Sequence, residues 1–253
     1  MSTKQLDIEK IIPELEAMTP QQVLQWGVDT FGERFAVQSS MQKTAGVLMH
    51  MISQIAPSTA IIFVDTGVHF RETLDLRDEF IRRFGVNIQS YHPEKTFEEQ
   101  YHEYGRYLHE SDDSIHGAGP GYNFCCRLRK ELPYLAAVKG HFDAVAGGLM
   151  RSEGGRRART PIITWDERTQ SYKVYPLINW TEEQVDAYTA EHDLPLHALY
   201  ARGYASIGCF TCTTPIQAGE DKRAGRWRHI REQNADLQNQ PLYCGINFED
   251  KKS

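Results

Sequence analysis

The chain alternates short apolar runs with longer segments of helical period, and few architectures accept that pattern. Phe35-Ala36-Val37-Gln38, Ala60-Ile61-Ile62-Phe63-Val64, Val86 to Tyr91 and Phe142 to Gly147 read as strands. Thr44 to Ile55, Arg71 to Phe84, Thr96 to Tyr104 and Cys125 to Val138 read as helices, the last bent at Pro133. Two helices precede them up to Phe31, the second started by Thr19-Pro20, a hydroxyl cap followed by proline at the first helical position. Pro161 to Trp165 and Tyr172 to Tyr175 read as a hairpin, and Thr181-Glu182-Glu183-Gln184 is a capping box opening a helix to about His192. Strands this uniformly apolar need cover on both faces, so the pattern predicts an α/β fold with a mostly parallel sheet flanked by helices. Ligands of such sheets bind where loops leave the carboxyl ends of strands. Attention therefore falls on Ser39 to Thr44, Asp65-Thr66-Gly67, Gly147 to Arg151 and the segment around Cys209.

The five cysteines fall as a tandem pair (Cys125, Cys126), a C-x-x-C (Cys209, Cys212) and one residue near the end, Cys244. Four thiolates make a closed site for zinc or an iron–sulfur cluster and leave a fifth thiol over. Successive side chains diverge, so adjacent cysteines reach one zinc ion awkwardly, whereas the separated iron corners of a [4Fe-4S] cubane suit them. An odd count in a chain long enough to build its own core argues against a disulfide framework. Met1 to Lys10 is polar, without the apolar core of a secretory signal, and no run approaches the ~18 apolar residues of a membrane span. A cytoplasmic chain with reduced thiols, bound to no membrane, is expected.

At 253 residues the chain suits one α/β domain over 1–232, with N-terminal helices and the cysteine segment, followed by a mobile tail over 233–253. A net charge of −6 disfavours non-specific nucleic-acid binding. Basic residues nevertheless cluster at Arg127, Arg129, Lys130, at Arg151, Arg156, Arg157, Arg159, and from Lys222 to Arg231. Discrete cationic clusters in an acidic chain assemble a small-anion site or are solvated faces. Ser39, Ser40 and Thr44 at a helix start read as an anion site or as ordinary capping; the loop is no Walker A, lacking its glycines. Asp65-Thr66-Gly67 reads as a base or ribose contact or as a plain turn. Cys244, followed by Gly245 in a polar tail, is a mobile nucleophile or an incidental thiol.

Taken together, these motifs resemble the assimilatory adenylyl-sulfate (APS) / phosphoadenylyl-sulfate (PAPS) reductases. The likeness is carried by Gly203 to Pro215, Gly219 to Trp227, Asp65 to Thr73, Cys125 to Lys130, Tyr175 to Thr181 and His192 to Pro195, and covers about Phe35 to Trp227. It implies a Rossmann-like sheet of the adenine nucleotide alpha hydrolase-like, PP-loop kind. The four cysteines resemble the cluster-bearing branch, which implies a [4Fe-4S] cofactor and APS as substrate. The resemblance implies that the Cys244 thiolate attacks the sulfuryl sulfur, AMP leaves, and thioredoxin or a glutaredoxin-like dithiol releases sulfite from the S-sulfocysteine. Lys130, Arg223 and Arg226 match positions that contact the sulfonucleotide, with Ser39, Ser40, Asp65, Thr66, Gly148 and Arg151 cradling the nucleotide. The cluster's implied work is to position Lys130; a homo-oligomer is also suggested.

The chain departs from the family pattern in three places. Tyr243 and Asn247 replace a glutamate and a histidine around Cys244, and Met150 replaces one of two paired arginines, leaving Arg156, Arg157 and Arg159 as nearby substitutes. The alternatives are PAPS or dual specificity, a zinc-stabilised non-catalytic adenine-nucleotide module, and an ATP pyrophosphatase or thiolation enzyme. The last is disfavoured because Ser39 to Thr44 lacks a Ser-Gly-Gly-x-Asp-Ser loop.

Overall fold

The computed structural model describes residues 6–110 and 124–233, and the chain divides into two compact units. The first comprises Met1–Phe63, Asp75–Gln89 and Ala137–His197; the second comprises Val64–Leu74, Ser90–Ala136 and Ala198–Ser253.

The first unit carries the sheet. Its strands are β1 (Phe35–Ser39), β2 (Ala60–Val64), β3 (Asn87–Tyr91), β4 (Ala144–Ala146), β5 (Ile163–Asp166) and β6 (Ser171–Val174), ordered β3-β2-β1-β4-β6-β5. The last residues of β2 and β3 pass into the second unit. β1 runs parallel to both β2 and β4, with Val37 opposite Ile61 and Ala146; β4 is parallel to β6, and β5 returns antiparallel on the edge. Ile61, Ile62 and Phe63 are at most 1% exposed, each worth roughly 1.5–3 kcal/mol of burial. That is why β2 reads as an unbroken apolar run.

Helices α1 (Ile8–Glu16), α2 (Pro20–Phe31), α3 (Lys43–Ile55), α4 (Arg71–Phe84) and the later α8 (Glu182–Glu191) accompany the strands. Both predicted capping residues act: Thr19 accepts from Gln22 N–H and Thr181 from Gln184 N–H, and each glutamine side chain answers. α3 is buried almost all round, from Ala45 to Ile52, and packs against β1, α2 and α8. On its α8 side, His50 Nδ1 lies 2.9 Å from Tyr188 Oη, with the His192 ring 4.8 Å away. In the edge hairpin Asp166 is 2% exposed and meets Lys173 Nζ at 2.8 Å and Arg168 Nη2 at 3.0 Å.

The second unit holds α5 (Phe97–Tyr104), α6 (Phe124–Cys126), most of α7 (Leu132–Val138) and α9 (Arg228–Gln233). The helix predicted from Cys125 to Val138 is present but not uniform. Arg127–Glu131 widens into a π-helical stretch directly before Leu132 and Pro133. Pro133 has no N–H to give and its ring crowds the carbonyl four residues back, at Arg129; widening the turn relieves that clash. Among the described residues no helix is long and apolar enough to cross a membrane.

Candidate active site

In the first unit the chain reverses direction about β1: β2 lies on one side and β4 on the other, the switch point at which open α/β sheets take their ligands. Ser39 ends β1, and its Oγ accepts the Met41 N–H at 3.2 Å. Met41 is fully buried at φ 54, left-handed backbone that a residue with a side chain adopts only under constraint. This kink turns the chain into α3, whose N-cap residue Gln42 makes no side-chain capping bond. Ser40 is exposed beside it. From β4 comes Gly148, where an added Cβ would lie 2.6 Å from Thr44 Oγ1 and 3.2 Å from the Thr44 carbonyl carbon. Only glycine lets the β4 loop rest on the first turn of α3. The arrangement brings Ser39, Ser40 and Gly148 to one helix N-terminus, where the backbone dipole favours an anion.

Arg151 is placed differently. Its Nη2 meets Glu16 Oε1 at 2.5 Å, Nη1 meets Asn179 Oδ1 at 2.6 Å, and Nε donates to Thr160 O at 2.9 Å. The same pairing holds the Glu16 carboxyl below its ordinary range. Met150, which stands where the family pattern has an arginine, is 5% exposed and part of the interior. Arg157 is paired with Glu153, and Arg159 is exposed.

The second unit gathers the cysteines. Cys125, Cys209 and Cys212 are 6–7% exposed, Cys126 is half-buried, and none of the four forms a disulfide. Burial pushes the Cys125 thiol up to about 12, reinforced by Cys209 and Cys212 and opposed by Lys130 and Arg129. Cys212 is raised likewise by burial and Cys209, and is opposed by its own bond to Thr211 and by Lys130 and Arg226. Three buried thiols thus feel one another across two distant segments. Cys126 packs against Cys212, Trp227 and Ile230.

Asp65-Thr66-Gly67 adjoins this group. Asp65 Oδ1 accepts the Gly67 N–H at 3.0 Å, Thr66 is 1% exposed, and Thr66 Oγ1 lies 3.3 Å from Cys209 Sγ. Val68 O accepts the Phe210 N–H, and His69 bridges to Cys209. Lys130 sits in the π-helical stretch, acting on both Cys125 and Cys212. Arg226 is 5% exposed, reaches Ser206 Oγ and Ile207 O, and stands 4.6 Å over the Trp227 ring, with Arg223 at 5.8 Å. Its Nε is buried without a hydrogen-bond acceptor. A Cβ on Gly208 would strike the Arg226 guanidinium at 2.4 Å, so only glycine before Cys209 leaves the guanidinium where it is. Cys244 and the departures at Tyr243 and Asn247 lie outside the described residues.

Among the described residues no three His, Cys, Asp or Glu side chains stand grouped to hold a metal ion. The donor set nonetheless suits a cluster: three buried thiols within electrostatic reach, a fourth beside Cys212, and cations in Arg129, Lys130 and Arg226 to offset thiolate charge. Arg129 belongs to the basic cluster that follows the tandem cysteines. It is 2% exposed, far from a solvated face. The available signal was its spacing, four positions after Cys125 and so on the same face of a helix.

Residues 34–215 match the family model described as the phosphoadenosine phosphosulfate reductase domain. An adenosine 5'-phosphosulfate reductase of Streptomyces coelicolor is 40% identical over 214 residues, covering 85% of this chain and 86% of that protein. One from Staphylococcus haemolyticus is 38% identical, covering 91% and 87%. A solved phosphoadenylyl-sulfate (PAPS) reductase from Candida auris, in a phosphate complex, superposes with a TM-score of 0.71 at 30% identity, over 85% of this chain and 99% of that one. With its parallel sheet, switch-point loops and cysteine-bearing unit, the chain belongs to the phosphoadenosine phosphosulfate reductase domain family.

Proposed function

We propose that the chain reduces adenylyl sulfate to sulfite and AMP, in cytoplasmic sulfate assimilation toward cysteine. The observation that carries this reading is the group of thiols Cys125, Cys209 and Cys212 with Lys130, in a chain 40% and 38% identical to relatives that bear the APS reductase name. Ser39, Ser40 and Gly148 present the α3 N-terminus to the nucleotide phosphate, while Asp65 and Thr66 face the nucleoside. Lys130, Arg223 and Arg226 offset the charge on the sulfuryl oxygens and the departing phosphate. Arg151 shapes its loop through Glu16, and Met150 adds no cation.

The segment 233–253 supplies the Cys244 thiolate. Its sulfur attacks the sulfuryl sulfur as the S–O bond to the AMP phosphate breaks; the bonding pair leaves on the phosphate, and Cys244 becomes an S-sulfocysteine. A thiol of thioredoxin or a glutaredoxin-like protein then attacks the Cys244 sulfur, and sulfite leaves with the S–S bonding pair. The second thiol of that protein resolves the mixed disulfide, so the dithiol supplies the two electrons that reduce sulfur. Cys125, Cys126, Cys209 and Cys212 would hold a [4Fe-4S] cluster, supplying a fixed charged scaffold near Lys130.

Turnover of APS and PAPS with thioredoxin, measured side by side on protein purified without air, tests the reading. APS is expected as the faster substrate; exclusive turnover of PAPS would reassign specificity, and turnover of neither would reject the function. Radiolabelled APS without thiol should leave label on the wild type and none on Cys244→Ser. A colourless protein containing zinc, without absorption near ~400 nm, would sink the cluster.

A further inference from the structure

The turn after β2 is held by both cysteine-bearing segments. From the C-x-x-C side come the Thr66–Cys209 contact, the Phe210 N–H on Val68 O and the His69–Cys209 bridge. From the tandem-cysteine side comes Arg129. Its Nε donates to Thr66 O at 2.7 Å, and its Nη1 to Lys95 O at 3.2 Å and Gln100 Oε1 at 3.3 Å, with the guanidinium 5.5 Å over the Phe97 ring. Gly67 lies under the same group: its φ is +69, and a Cβ there would stand 2.8 Å from Arg129 Nη2.

A buried arginine is rare unless its charge is met. The acceptors that hold Arg129, two carbonyls and an amide oxygen, are all neutral. We propose that Arg129 is a positioning residue, whose guanidinium fork locks the Asp65–Thr66–Gly67 turn to the Cys125–Cys126 segment. The fork matters as much as the charge, because lysine cannot span Thr66 O, Lys95 O and Gln100 Oε1 together. Arg129 acts on the substrate through the turn. The inference rests on assigning Asp65 and Thr66 to the nucleotide.

The test uses full-length protein purified anaerobically, with R129K, R129M and G67A beside the wild type. R129K keeps the charge and loses the fork; G67A keeps Arg129 and displaces it. Amide hydrogen exchange across residues 64–70 is expected to quicken about tenfold or more in all three. In R129K and G67A the KM for APS should rise about tenfold while kcat changes less than about threefold, because the turn binds ground and transition states alike. The double variant R129M/G67A should be no worse than R129M, since both act through one contact. Wild-type exchange and KM in R129K and G67A overturn the proposal, as do additive losses in the double variant. A lowered urea midpoint without a split between KM and kcat overturns it too. A wild type that neither turns over APS nor binds AMP rejects the functional reading instead, and exchange at 64–70 in R129K and G67A still decides the role of Arg129.

Discussion

Gly148→Ala probes whether the β4 loop and the start of α3 form one anion cradle. The new Cβ would stand 2.6 Å from Thr44 Oγ1, 2.9 Å from Thr44 Cβ and 3.2 Å from its carbonyl carbon, where ordinary contact begins at 3.4 Å. The nearest contact must therefore open by about 0.8 Å. Part of that comes from a side chain that can turn, but the contact to backbone requires the helix start or the loop to move. Overpacking of this size costs about 1–3 kcal/mol. Carried wholly into ligand binding, at about 1.4 kcal/mol per tenfold, this weakens AMP by about 5- to 150-fold. Calorimetric titration with AMP, paired with urea unfolding, separates strain felt on binding from strain felt on folding. Thr44→Ala in the same background removes the 2.6 Å contact and should recover part of the loss. A G148A protein with wild-type stability and wild-type AMP affinity refutes the cradle.

Asp166→Asn removes the carboxylate facing Lys173 and Arg168. Burial alone would raise that carboxyl's pKa, yet the two cations overcome it and hold it below the ordinary range. Losing one partner of such a buried pair should cost about 3 kcal/mol, read as a lower urea midpoint; an unchanged midpoint refutes it. His50 is lowered from its ordinary value of 6.5 by burial, with help from His192 and Arg83. The unfolded chain therefore takes up this proton first, so its contribution is complete above that value and falls as pH drops from there toward the lowered pKa. His50→Gln should flatten the fall in urea midpoint between pH 7.5 and pH 5.5, leaving a remainder from His109, also lowered by burial.

Local chemistry was legible wherever neighbours in sequence are neighbours in space. Thr19 and Thr181 cap the helices they open, Ala60 to Val64 forms β2, and Pro133 disturbs its helix, with a π-helical stretch directly before it. The strand read from Phe142 to Gly147 shortens to Ala144–Ala146, because only there does β4 pair with both β1 and β6. Contacts across long separations left no such trace. Glu16 meets Arg151 from 135 positions away, and Arg129 reaches Thr66 from 63. A run of arginines reads the same whether it faces water, as Arg159 does, or a buried carbonyl. Nor does composition mark Met41, whose left-handed backbone is imposed by the turn between Ser39 and α3.

The second unit draws on three separated stretches of chain, the last beginning at Ala198, which has a consequence for biosynthesis. Cys126 and Cys209 are 83 positions apart, so at ~5–20 residues per second the first cysteine pair waits roughly 4–17 s for its partners to leave the ribosome. During that interval the tandem thiols lack the burial that the finished fold gives them, and are open to stray metal and to oxidants. For the cluster proposed above, correct loading of the nascent protein then depends on timing: a donor that delivers before Cys212 emerges finds half a site. Slower translation between the two pairs should raise the fraction of chains that mature without a cofactor.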